Sequence, residues 1–407
     1  MQLFDVSAAA HNHHDRRDTR QLPKSVLYSI SARLGGSGLD TDAYETVRGL
    51  HEAGILGQAI VYANRQRTIP ASRVKSLRWH PVRLLSGLDR KHYYGAKKQY
   101  LDSVACADLK TGRYDLFHGW SGECLDTLRE ARRMGIPSLI EIPTWHRNKG
   151  RQKPAVTKSE RERAAAPWPQ SLLNGLLITR QQNIEEYALA TLILVLSHCA
   201  ADTFRAAGIP DEKLFYLPRG VDIDRFTPAV RPPDKFRAIF LGALKKRKGV
   251  HTLLEAWHGL GLKNAELLLV GHVHPEIKDY LARFAGPSVR LEGFCKEPEN
   301  LLRTATVHIF PSTCEGSAKV TYEAAACGLP QITTRESGDV VIDGLNGLVA
   351  PCDNPDALAA AIQRLYANPD LRLSMGAAAR QRIVENFTWD HYRARLLDAY
   401  RAVRSSR

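Results

Sequence analysis

The sequence predicts an α/β protein of two doubly wound domains facing a cleft, and three observations point there. Its 407 residues exceed what one ordinary core organises. Short apolar runs alternate with helical patterns twice over, between residues 25 and 142 and again between residues 236 and 334. Glycines stand where the first run of each series ends, at Gly35 and Gly36 and at Gly242. Alternating strands and helices imply parallel sheets covered on both faces, and such sheets bind ligands in the crevice beyond the carboxyl ends of their strands.

In chain order, residues 1–22 read as a flexible polar tail. The first 24 residues carry His11, His13, His14, Asp15, Arg16 and Arg17 but no apolar core, so they do not read as a secretory signal. The first domain is expected over residues 23–212. A strand at 25–30 passes through Gly35-Gly36-Ser37-Gly38 into a helix over 41–54, with further strands at 58–62, 116–118 and 138–142 and a helix over 121–134. Residues 65–100 interrupt the alternation. They hold ten Lys/Arg and one acidic residue, with Trp79, Tyr93 and Tyr94 interleaved, and read as a basic insertion. Residues 147–163, also basic and containing Pro154, read as a mobile loop.

The second domain is expected over residues 213–387. Strands are predicted at 237–241, 265–270, 289–291, 307–310 and 331–334, and helices at 250–260, 298–304, 317–327, 355–367 and 370–385. Residues 388–407 are expected to supply a last helix, over 389–403, that packs back on the first domain.

Composition narrows the function classes. Hydrophobic residues make up 44% and charged residues 25%, ordinary for a folded globular chain. The longest apolar run, residues 188–196, falls short of the roughly 20 residues a spanning helix needs. The seven cysteines are scattered singly, without the close pairs that zinc or redox motifs use, and imply a reducing cytoplasm. A formal charge of +14 calls for an anionic partner. No recognised nucleic-acid module accompanies the charge, so a nucleic acid is not the partner expected.

The most informative run is Phe310-Pro-Ser-Thr-Cys-Glu315-Gly-Ser-Ala-Lys-Val-Thr-Tyr-Glu323-Ala-Ala-Ala-Cys-Gly-Leu-Pro330. A strand ends at Phe310 and a helix begins near Ser317, so Glu315 stands at the helix mouth. Glu323 lies up to about 12 Å further along the axis, a separation suited to the two ends of one extended ligand. The amides of Ser317, Ala318 and Lys319 are expected to point outward at that mouth, where a phosphate or a sugar hydroxyl can be held. Glu315 as a helix cap and Glu323 as a solvated residue is the alternative reading.

This run, from Pro311-Ser312 through the Glu-(seven residues)-Glu spacing to Gly328-Leu-Pro330, resembles the donor-site signature of glycosyltransferase family 4. Phe240-Leu-Gly242-Ala-Leu-Lys-Lys-Arg247-Lys248-Gly249 resembles the family's strand, glycine, basic loop and Lys-Gly opening. Looser matches are Leu217-Pro-Arg-Gly220-Val-Asp222, Leu269-Val-Gly271, Gly293-Phe294, Glu336-Ser-Gly338 and Asn346-Gly-Leu-Val349. The resemblance runs from residue 25 to the end and is specific after residue 192. It implies the GT-B fold of two Rossmann-like domains, with a nucleotide-diphosphate sugar as donor substrate, no cofactor and no catalytic metal. It further implies retaining transfer to a hydroxyl of a glycan, glycolipid or small acceptor in cell-envelope polysaccharide or glycoconjugate synthesis.

By the same resemblance, Glu315 contacts the donor sugar, Glu323 the ribose and Lys248 the diphosphate. Gly242 is the close-approach glycine, and Gly316, Ser317, Ala318 and Lys319 form the phosphate-holding helix mouth. Two positions depart from the pattern. Ala243 stands where relatives carry arginine, which leaves a second cationic role to Arg247, and Arg219 stands where asparagine is usual. On the acceptor side, Gly35, Gly36 and Ser37 resemble the glycine loop over the reaction centre, with a plain tight turn as the other reading. His118 and His146 follow predicted strands; His146 resembles the family's histidine near the donor sugar, and a packing role remains open for both.

Asp222 and Asp224 read as parts of a turn. The segment 65–100 grips an anionic acceptor, touches the anionic inner face of a membrane, or is a solvated insertion. A noncatalytic nucleotide-sugar-binding partner and a GT-B epimerase are the competing functions.

Overall fold

The computed structural model describes residues 21–36, 38–148, 166–168, 170–231, 233 and 235–403. Ser37, the histidine cluster of the tail and most of the expected loop at 147–163 lie outside the described residues.

In the first domain β1 (Val26–Leu34), α1 (Leu39–Glu52), β2 (Leu56–Asn64), β3 (Val74–Ser76), α2 (Arg90–Leu109), β4 (Leu116–Trp120), α3 (Leu125–Arg133) and β5 (Ser138–Glu141) follow in order. They continue with α4 (Gln170–Gly175), α5 (Arg180–Leu189), β6 (Leu192–Val195), α6 (His198–Arg205) and β7 (Leu214–Tyr216). The strands form one parallel sheet in the order β3-β2-β1-β4-β5-β6-β7. Its order turns back on either side of β1, the arrangement that opens a crevice at the carboxyl ends.

The second domain runs β8 (Phe236–Leu241), α7 (Val250–Leu260), β9 (Ala265–Val270), α8 (Lys278–Phe284), β10 (Val289–Gly293), α9 (Pro298–Leu302), β11 (Val307–Phe310), α10 (Lys319–Ala326), β12 (Gln331–Thr333) and β13 (Gly347–Val349). Its sheet, also parallel, has the order β10-β9-β8-β11-β12-β13. Helices α11 (Pro355–Ala367), α12 (Pro369–Asn386) and α13 (Trp389–Val403) end the described chain. No helix among the described residues is long and apolar enough to cross a membrane.

Alternation along each strand supplies two cores per sheet. Val26, Tyr28 and Ile30 of β1 enter one apolar cluster, and Leu27 enters the cluster on the opposite face. Polar residues set the helix starts. Asp89 accepts the Lys91 amide at 2.8 Å ahead of α2, Thr179 and Gln182 close a capping box on α5, and Ser197 accepts the Ala200 amide at 3.0 Å ahead of α6.

Helix α13 follows the second domain in the chain and packs on the first. Tyr392, Leu396, Tyr400 and Val403 enter the core of the first sheet. The Tyr392 hydroxyl lies 2.7 Å from Thr46 Oγ1, and Arg393 pairs with Glu45 of α1.

Two expectations need correction. Residues 65–100 do not form an insertion outside the alternation: they contain the edge strand β3, a short 3-10 turn at Pro81–Leu85 and the first half of α2. The three residues of β3 form too brief a strand to register as an apolar run. The first domain also extends past residue 212, because β7 pairs with β6 through Ile193 and Leu214, Leu194 and Phe215, and Val195 and Tyr216.

Candidate functional site

The loops after β8 and β11 are stitched into one wall of the cleft. After β8 the chain passes through a 3-10 turn at Lys246–Lys248 to Gly249, whose φ of +71° is left-handed. A Cβ there would lie 1.9 Å from the Pro311 carbonyl oxygen, so only glycine lets this basic loop sit against the end of β11. The Arg247 carbonyl accepts the Thr313 amide at 2.9 Å and the Ser312 hydroxyl at 3.0 Å.

That stitching aims three donors at one carboxylate. Lys248 Nζ pairs with Glu315 Oε1; Ser312 Oγ, whose one proton is shared with the Arg247 carbonyl, lies 2.9 Å from the same oxygen, and Arg247 Nη1 stands 3.3 Å from it. The Glu315 amide donates to the Glu336 carbonyl at 2.9 Å, which fixes the loop that carries it. Lys248 is largely buried. Burial lowers its pKa, and Glu315 opposes that shift.

Helix α10 begins two residues later than expected, at Lys319, and this changes its mouth. The Ala318 amide donates to the Ser337 carbonyl at 2.9 Å, so it is not among the amides free to face a ligand. The Ser317 hydroxyl is 2.8 Å from the Tyr322 hydroxyl, and Ser317 and Ala318 are both buried. Glu323 lies one turn into α10, 8% exposed, with Lys319 Nζ at 3.9 Å. Burial pushes the Glu323 carboxyl up to about 7, against the pull of Lys319 and Arg225.

Gly316 closes the wall against the first domain. A Cβ there would come within 2.5 Å of the Pro143 carbonyl oxygen in the loop after β5, so backbone meets backbone across the cleft. Arg219 makes the second crossing. Its buried guanidinium pairs with Asp42 of α1 and donates through Nε to the Ser317 carbonyl at 3.2 Å. Asp42 and Arg219 are 177 positions apart, and only the fold brings them together. The one sequence signal for Arg219 is its departure from asparagine.

The residues expected on the acceptor side divide. Gly35 and Gly36 form the turn from β1 into α1 at the carboxyl edge of the sheet, with Gly35 at a φ of +87°. His118 does not reach the cleft. It is fully buried, with Nδ1 2.7 Å from the Tyr400 hydroxyl and Nε2 3.2 Å from Glu141, so it ties α13 to the first sheet. His146 is 3% exposed, its ring centroid 5.0 Å from those of both Tyr187 and Phe204, and its Nδ1 accepts the Asn148 amide at 3.1 Å. Burial lowers its pKa to about 4, which leaves the imidazole neutral at neutral pH. Its surroundings supply the packing role. Asp222 accepts the amides of Asp224 and Arg225 at 3.1 and 3.0 Å and serves the turn.

Residues 235–368, which hold the loops after β8 and β11, match a family model described as "Glycosyl transferases group 1". Over 91% of this chain and 90% of the relative, the sequence is 26% identical to a D-inositol 3-phosphate glycosyltransferase of Nocardiopsis dassonvillei. An alpha-maltose-1-phosphate synthase of Mycobacterium tuberculosis is 28% identical over 58% of this chain and 70% of its own length. Among solved structures, a sucrose-phosphate synthase from Thermosynechococcus elongatus superposes with a TM-score of 0.67 at 20% identity, covering 94% of this chain and all of that one. Anabaena HepE in complex with UDP-glucose superposes at 0.63 with 16% identity, over 92% and 98% of the two chains. At such identities these two structures establish the shared two-domain fold.

Proposed function

From a chain that carries a glycosyl transferases group 1 domain on a two-domain GT-B fold, and is therefore a glycosyltransferase, we propose a retaining enzyme. It moves a sugar from a nucleotide-diphosphate sugar to a hydroxyl of a glycan, glycolipid or small acceptor in cell-envelope glycoconjugate synthesis. The observation that carries the reading is the convergence of Lys248, Arg247 and Ser312 on Glu315 at the cleft, with Glu323 and Lys319 in the adjoining helix.

Transfer breaks the bond between the anomeric carbon and the diphosphate. Negative charge grows on the departing oxygen and positive charge on the sugar ring, and a fixed, partly buried cation beside the first lowers the barrier. Lys248 is that cation, with Arg247 behind it. A diphosphate offers Lys248 more charge than one carboxylate does, so its arrival frees Glu315 for the sugar hydroxyls. Glu323, ionised, accepts from the vicinal hydroxyls of the ribose. The departing phosphate takes the acceptor proton on the face it leaves. No side-chain nucleophile and no metal enters this scheme.

Incubation with a panel of nucleotide sugars tests it: one donor is expected to release its nucleoside diphosphate and to give a product whose anomeric configuration, read by proton NMR, matches the donor's. Inverted product contradicts retention.

A peripheral membrane contact is part of the proposal. Trp79 is 80% exposed and Leu84 90%, and Arg78 and Arg83 lie 5.8 and 4.9 Å from the Trp79 ring centroid. Apolar wedges ringed by arginine suit the interface of an anionic bilayer, where each basic residue adds about 1 kcal/mol. Co-sedimentation with phosphatidylserine-containing vesicles is expected to fall about tenfold or more in Trp79→Ala/Leu84→Ala, while neutral vesicles bind neither protein. Unchanged partitioning of the variant removes the contact.

A further inference from the structure

Beyond the carboxyl ends of β1, β2 and β3 lies a cavity of about 350 Å³, within the ~300–1,000 Å³ range of small-molecule sites. Arg33, Arg65, Arg78, Arg83 and Lys97 line it, and its described lining holds no carboxylate. None of the five forms an ion pair among the described residues. The nearby Glu123 is committed elsewhere, to Lys98 at 3.3 Å and to the Ser31 amide at 2.7 Å. Several surface arginines elsewhere are paired, Arg48 with Glu52, Arg133 with Glu130 and Arg205 with Asp211. Five like charges gathered on one concavity repel one another, which is favourable only when an anion neutralises them.

The neighbouring groups register that field. Burial and then Arg33 lower the pKa of Lys97 against the opposing pull of Glu123, and burial, Lys97 and Arg83 lower that of His80. Tyr93 adds an aromatic face to the wall, while Lys97 Nζ covers the Tyr62 ring, 3.8 Å from its centroid. The Tyr93 face suits the carbon side of a sugar ring, and guanidinium forks match phosphate oxygens two at a time.

The cavity adjoins the cleft. The Arg65 amide donates to the Leu34 carbonyl at 2.9 Å, and a Cβ on Gly35 would lie 3.1 Å from the Gln66 nitrogen, so Arg65 borders the glycine turn. That turn leads into α1, whose Asp42 meets Arg219 and, through it, Ser317 on the donor wall.

We propose that this cavity is the acceptor subsite of the enzyme and that the acceptor bears a phosphate or diphosphate group, which Arg33, Arg65, Arg78, Arg83 and Lys97 hold. The inference rests on the glycosyltransferase reading of the cleft and adds the chemical class of the second substrate. The phosphate belongs either to a soluble sugar phosphate or to a lipid-linked sugar, and both present the same group to the cavity.

Calorimetric titration of inorganic pyrophosphate into the full-length wild type, Lys248→Ala and Arg33→Ala/Arg65→Ala tests it. Wild type is expected to show two sites. Lys248→Ala keeps the cavity site, and the double variant weakens that site about tenfold or more. Nucleoside diphosphate binding, measured in the same proteins, reports on the donor wall separately: it persists in the double variant and falls in Lys248→Ala. Arg65→Gln, in the loop after β2, serves as a milder variant should the double variant lose its thermal midpoint. Pyrophosphate affinity unchanged in a folded cavity variant overturns the subsite and leaves the donor reading standing.

Hexose 6-phosphate in solution and neutral phosphatidylcholine vesicles doped with a polyprenyl diphosphate separate the two sources. Saturable binding of the first assigns a soluble acceptor, and recruitment to the second, lost in the double variant, assigns a lipid-linked one. Recruitment equal in wild type and double variant, with no hexose phosphate binding, counts against the cavity.

Discussion

Lys248→Ala is expected to lower sugar transfer by about 10²–10³-fold without unfolding the protein, as removal of one preorganised charge-stabilising group does elsewhere. Lys248 closes a turn whose backbone is held independently of its side chain, by Gly249 against Pro311 and by the Arg247 carbonyl against Thr313 and Ser312. The substitution therefore removes the ammonium and leaves the wall. It also deprives Glu315 of its closest cation, while Ser312 and Arg247 remain as partners. Because the charge matters most as the diphosphate departs, turnover is expected to fall further than donor affinity. Lys248→Arg keeps a charge but replaces a compact ammonium by a planar fork and is expected to recover only part of the rate. Release of nucleoside diphosphate under saturating donor measures both. Turnover within a few-fold of wild type in Lys248→Ala would remove Lys248 from the mechanism.

Glu323→Gln is expected to separate binding from stability. With its carboxyl raised to about 7, Glu323 is half protonated near neutrality, and the ionised form is the stronger acceptor for a ribose diol. Nucleotide affinity in the wild type is therefore expected to rise between pH 6 and pH 8. Glutamine keeps the shape and abolishes the rise, with about a tenfold loss of affinity at pH 8.

Stability moves the other way. A carboxyl whose folded pKa lies above its unfolded value stabilises the fold fully only at low pH, and that contribution is lost as pH climbs from about 4.5 through about 7. At pH 8 the wild type holds this buried carboxylate ionised at a net cost of about 3 kcal/mol, a figure that already includes the pull of Lys319. Glu323→Gln removes that net cost. Urea denaturation at pH 5 and pH 8 reads it: the variant gains on the wild type at pH 8 relative to pH 5, and equal differences at both pH values would contradict the buried-carboxylate reading.

Burial on both faces makes the central strands of a parallel sheet legible as mostly apolar runs, so β1, β8, β9 and β11 stand out in the sequence. Of the edge strands, β10 is legible at 289–291, but β3 and β7 are not. β3 and β7 are three residues each and only partly buried, and β3 lies inside a basic stretch that reads as an insertion. Glu315, Glu323 and Lys248 are legible as candidates because one short run and one basic loop carry them. Arg219 with Asp42, and the cavity lining from Arg33 to Lys97, come from separated elements that no local pattern links. His118 shows the converse. Its place after a strand suggests the cleft, but the terminal helix covers it, and the sequence gives no sign that Tyr400 would be its partner.

Thermal unfolding of the pure protein against a panel of nucleotides and nucleotide sugars tests the donor wall most directly, since a ligand at 100 times its dissociation constant adds about 2.7 kcal/mol. The expected result is a selective upward shift with one nucleoside diphosphate and its sugar conjugate, lost in Lys248→Ala and in Glu323→Ala. No shift with any of them, or a shift that both variants retain, would contradict a nucleotide-sugar site built on Lys248, Glu315 and Glu323.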